Sequence, residues 1–119
     1  MRADSTLRKQ PLRKPRRGPS DHLRSALQVL AAGQGQLLSH AEKPWASITF
    51  SGSRHTLRFA FDGAEAVSAG EDLIDVLPEH EFTIPGQLVA DAIVTGVDHA
   101  LLHSPRMEVT LEVLMLDDS

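Results

Sequence analysis

Six histidines are spread along the 119-residue chain, and they are the groups best able to bind a metal or carry a proton near neutral pH. His99 and His103 stand four positions apart. On a helix that spacing sets both rings on one face, as a two-histidine metal site requires. The residues around them read instead as a strand end and a turn, and no third ligand stands at a motif spacing. Glu79-His80-Glu81 holds three donor groups in a row, which could serve a metal only through a contact made by the fold. There is no cysteine, so thiolate ligands, disulfides and thiol catalysis are excluded. No metal and no cofactor are expected.

Nucleophilic chemistry has serines to draw on but no arrangement that activates one. Ala66-Val67-Ser68-Ala69-Gly70 comes one residue short of a Gly-x-Ser-x-Gly elbow. That elbow needs a buried strand before it and a long helix after it. Asp62-Gly63, a turn signal, stands just upstream instead, and 66–70 reads as a loop of small residues. Gly33-Gln34-Gly35 is not a phosphate loop, because no strand precedes it and no Lys-Ser/Thr follows. No catalytic residue is therefore assigned.

The charge is divided between two segments. The first 17 residues carry seven cations (Arg2, Arg8, Lys9, Arg13, Lys14, Arg16 and Arg17) against Asp4, a net +6. The other 102 residues carry five cations and fifteen anions, a net −10. Residues 1–19 hold few large apolar groups to offset the entropy of ordering, so they are expected to form a disordered basic tail. Arg8, Lys9, Arg13, Lys14, Arg16 and Arg17 are the candidates for contact with a nucleic acid or another acidic partner. The acidic remainder would repel the same phosphates.

The elements that must position these groups follow from hydrophobic periodicity. Residues 20–119 are expected to form one α+β domain, an N-terminal helix on a mainly antiparallel sheet of about four to five strands. Ser20 is a candidate N-cap, with Asp21 in the first turn. Leu23, Ala26, Leu27, Leu30 and Ala31 then form one apolar helical face that stops near Gly33. Leu37, Leu38 and Ala41 suggest a second short turn of helix, ended by Pro44.

Residues 45–61 alternate on both sides of Gly52-Ser53, which predicts a hairpin turning there. That register gives Ala46, Ile48, Phe50, Leu57, Phe59 and Phe61 to the core face, with His55 at its edge. The wet face would carry Trp45, Arg54 and Arg58. A base-stacking platform needs several exposed aromatics, and four of the five aromatic residues are phenylalanines, three of them on that core face. A short helix is expected around Leu73–Leu77 and a short strand over Glu81–Ile84. Residues 87–102 can be read as helix or strand, with a strand from Leu88 to Val97 preferred for its β-branched residues and Gly96. Residues 106–116 alternate as a strand.

No apolar run approaches the ~20 residues of a membrane helix, and no secretory leader is visible, so a cytoplasmic protein is expected. By elimination the reading is a non-catalytic interaction or assembly module. The apolar final strand, if it lay at a sheet edge, would favour a homodimer. The alternatives are a nucleic-acid-associated protein that uses the tail, or a small enzyme or metal-binding protein in which His80, His99 or His103 meets carboxylates.

Overall fold

The computed structural model describes residues 18–101 and 103–118. The six candidate tail cations all lie outside them. The domain is α+β, and its element order follows the period changes in the chain. Helix α1 (Pro19–Leu30) is followed by strands β1 (Gln36–Ala46) and β2 (Ser51–Asp62). Helix α2 (Ala64–Val76) runs into a 3-10 turn at Leu77–Glu79, and strands β3 (Gln87–Ala100) and β4 (Arg106–Asp117) complete the fold. All strand pairs are antiparallel, and the spatial order is β1-β2-β4-β3.

Helix α1 starts two residues earlier than its sequence signals suggest. Gly18 takes the N-cap position, Pro19 supplies a preset φ at the first helical position, and Asp21 Oδ2 accepts the Gly18 N–H at 3.3 Å. Its end is a Schellman motif, in which Gly33 N–H donates to Gln28 O at 2.8 Å and Ala32 N–H to Val29 O at 3.1 Å. The left-handed residues there are Ala32 (φ 54°) and Gly33 (φ 71°). Leu23, Leu27 and Ala31 are buried, as the stripe predicts.

The hairpin differs from its expected form. The turn spans Ser47–Phe50 and is closed by Ser47 N–H to Phe50 O at 2.7 Å, so Gly52 and Ser53 lie inside β2. Trp45 pairs with Gly52 and His40 with Leu57. The β2 half of the expected core face survives, because a strand's own period does not depend on its partner: His55, Leu57, Phe59 and Phe61 are buried. The other half fails, because a displaced turn reassigns every residue of the partner strand. Ile48 and Phe50 are exposed at the turn, and Ala46 is exposed in β1. Leu37, Leu38 and Ala41 are not helical but lie in β1, drawn there by pairing with β2.

Residues 66–70 form part of α2 rather than a loop. Their small size lets the helix lie close on the sheet: a Cβ at Gly70 would sit 2.6 Å from Met107 Cε and 2.9 Å from the Phe61 ring. The strand expected at Glu81–Ile84 is reduced to a bridge between Ile84 and Gln87 across the Pro85-Gly86 turn. The preferred strand over 87–102 is present as β3. Strand β4 is not an edge. It lies between β2 and β3, which is why Met107, Val109, Leu111, Val113 and Met115 are all buried in the core beneath the helices.

Candidate functional site

The one fully buried polar side chain among the described residues is His55, only 1% exposed. The period of β2 sends it to the core face with Leu57 and Phe59, and it stands across from Glu42 of β1 and Val113 of β4. A buried imidazole needs partners, and two neighbouring elements supply them. His40 of β1 brings Nε2 to 2.8 Å from His55 Nδ1, with ring centroids 5.1 Å apart. Arg24 of α1 brings Nη1 to 2.8 Å from His40 Nδ1. Arg24 also pairs with Asp21 one turn earlier in α1, and Ser20 Oγ donates to Glu42 Oε1 at 3.2 Å.

Both rings are held below the ordinary histidine pKa. For His40 the largest cause is burial, followed by His55 and the Arg24 charge, with Glu42 and Asp21 opposing. For His55 burial again leads, with Arg24 lowering and Glu42 raising. The expected position of His55 at the rim of the core is thus corrected: it lies in mid-strand, with a polar line running from it to α1. Its parity with Leu57 carried that signal in the sequence. His40 and Arg24 had none, because their meeting depends on the β1–β2 register and on where α1 docks.

The opposite face of the sheet is open and laced with ion pairs. Arg58 pairs with Glu108, Arg54 with Glu112 at 3.6 Å, and Arg106 with Asp62 at 2.6 Å and Glu108 at 3.1 Å. Each of the four arginines of the described residues is therefore held by a carboxylate, and Arg54 and Arg58 present no unpaired row to a phosphate backbone. Trp45 is half-buried at one end of this face, in line across the sheet with Gly52, Leu116 and Leu88.

The histidines singled out by spacing do not converge. His99 lies near the end of β3, His103 sits in the β3–β4 connection with φ 66°, and His80 packs edge-on against Phe82 at 4.6 Å. Among the described residues no three potential ligands are grouped to hold a metal. An open groove of about 200 Å³ is lined by Asp98, His99, Ala100, Arg106 and Glu108. Arg106 and Glu108 are already bonded to each other there, and the volume falls short of a typical ligand pocket of roughly 300–1,000 Å³.

Exposed apolar groups concentrate on the β1–β2 turn and the β3 edge. Ile48 is fully exposed and Phe50 51% exposed; Leu88, Ile93 and Val97 are exposed on β3. The last β2–β4 pair is Gly52 with Leu116, so residues 47–50 stand beyond the end of the central strand. Both sheet edges carry features that hinder strand addition. Strand β1 has a bulge at Leu38 and the Lys43-Pro44 pair, and β3 has bulges at Ala90 and Thr95 with Asp91 and Asp98.

No family model and no curated protein matches the chain. The fold is similar to that of a chain in a solved structure of the virion of a native gene transfer agent particle. That similarity covers 83% of this chain and 92% of the other, with a TM-score of 0.54 at 12% identity. At that identity the likeness is one of fold. Among the described residues no helix is long and apolar enough to cross a membrane.

Proposed function

We propose that this domain is a non-catalytic subunit of a protein assembly, and that further copies of the chain are among its partners. The observation that carries this reading is the turn at 47–50, which holds Ile48 and Phe50 in solvent past the end of β4. Burying those side chains would contribute to association, and nothing in the domain's own core uses them. The fold shared with a virion chain supports an assembly role. A homodimer through the final strand is not proposed, because β4 is interior.

Light scattering across a concentration series tests this reading. The expected result is a mass that rises above the monomer with concentration. The double variant Ile48→Ser with Phe50→Ser should remain monomeric with an unchanged circular dichroism spectrum. A wild-type chain that stays monomeric throughout would count against self-assembly.

The charge division supports a second reading, in which Arg8, Lys9, Arg13, Lys14, Arg16 and Arg17 contact an acidic polymer. Removing residues 1–17 should abolish binding to a DNA duplex, and binding by the full chain should weaken steeply between 50 and ~200 mM salt. Unchanged affinity after the deletion would remove the tail from consideration.

A further inference from the structure

The line from α1 to His55 has a direction. A guanidinium can only donate, so His40 Nδ1, 2.8 Å from Arg24 Nη1, is an acceptor. A neutral imidazole has one donor and one acceptor, so the His40 proton is on Nε2, aimed at His55 Nδ1 at 2.8 Å. His55 then carries its own proton on Nε2. Arg24 donates to His40, and His40 donates to His55.

Neither ring can take a second proton in place. A proton added to His40 enters at Nδ1 and meets the Arg24 N–H. A proton added to His55 enters at Nδ1 and meets the His40 N–H. Either event replaces a hydrogen bond with two opposed donors and adds a cation beside Arg24. The charged groups facing the pair are Asp21 and Arg24 from α1 and Glu42 from β1, and β4 presents only Val113 across from His55. Asp21 is engaged by Arg24, and Glu42 accepts from Ser20 of the same helix. These contacts tie the first half of α1 to β1 and β2, while Gln28 Nε2 of its last turn donates to Gly35 O at 2.6 Å, just before β1.

We propose that Arg24, His40 and His55 form a proton-operated latch, which holds α1 on the β1–β2 pair while both rings are neutral and releases the helix when they charge. The release would uncover Leu23, Leu27 and Ala31 without dismantling the sheet. It would act on the helix that directly follows the cationic segment.

Amide hydrogen exchange on the full chain from pH 8 to 5, corrected for intrinsic exchange, tests the latch. Amides of Leu27 and Leu30 should exchange through an opening that leaves the Leu111 amide protected. That opening should become up to about a hundredfold more populated per pH unit below ~6.5, about tenfold from each ring. In His40→Gln, an amide that can accept from Arg24 and donate to His55 without titrating, the dependence on pH should fall to about half, the share of His55, whose Nδ1 still meets an N–H. Equal protection of α1 and β4 at pH 5.5, or an α1 opening that ignores pH, would overturn the proposal. Nitrogen-15 spectra of the wild-type imidazoles give a readout that needs no variant. Both rings should be Nε2–H tautomers at pH 7.5, and an Nδ1–H tautomer on either would equally overturn it.

Discussion

Gly52 of β2 lies so close to Met115 of β4 that a Cβ added to it would sit 2.0 Å from the Met115 carbonyl oxygen and 2.8 Å from Leu116 Cα. The obstacle is backbone, which cannot rotate aside. Gly52→Ala should cost about 2–4 kcal/mol by forcing the two central strands apart. Gly96→Ala is the control, because its Cβ would meet Thr110 at an ordinary 3.8 Å, and it should change stability by less than about 1 kcal/mol. Urea unfolding followed by circular dichroism measures both. Equal effects at the two sites would contradict the close approach.

Ala32 ends α1 in the left-handed region at φ 54°, a conformation that disfavours a Cβ. Ala32→Gly should therefore stabilise the domain by about 0.5–1 kcal/mol, seen as a higher urea midpoint at unchanged slope. A destabilised variant would mean that the extra unfolded-state freedom of glycine outweighs the relieved strain.

Stability should depend on pH through His40 and His55. Their folded-state pKa values lie below the ordinary value of 6.5, so the unfolded chain takes up protons first as pH falls. The contribution is complete above 6.5 and is lost as pH drops from there toward the folded values. The slope is at most about 1.4 kcal/mol per pH unit for each ring. Urea midpoints between pH 8 and 5 should be flat at the alkaline end and fall below 6.5. A midpoint that rises on acidification would reverse the sign.

Glu108 accepts from both Arg58 and Arg106 on the open face of the sheet. These are solvent-screened pairs, so Arg58→Ala should cost no more than about 1 kcal/mol. A double-mutant cycle with Glu108→Gln should give a small coupling that shrinks as salt rises. A coupling of several kcal/mol that ignored salt would mark the pair as desolvated.

Much of this fold is legible in local patterns. The stripe from Leu23 to Ala31, the alternation from Met107 to Met115 and the parity of His55, Leu57, Phe59 and Phe61 each follow from the geometry of a single element. The α+β class follows from their order. The absence of thiol chemistry and the opposition of a cationic start to an anionic remainder need no structure at all.

What only the tertiary structure decided is pairing between distant segments. Leu37, Leu38 and Ala41 could suit a helix, yet they form a strand because β2 offers them a ladder. The turn lies at 47–50 rather than at Gly52-Ser53, and Gly52 stands instead inside β2, where β4 approaches too closely for a Cβ. The apolar final strand lies inside the sheet, where burial on its core face accounts for its composition without a second chain. The line from Arg24 through His40 to His55 joins a helix and two strands separated by 15 and 16 residues along the chain. Periodicity can assign each of these residues a side of its own element. It cannot say which side chain will stand opposite, because that is set by the free energy of the whole packed arrangement.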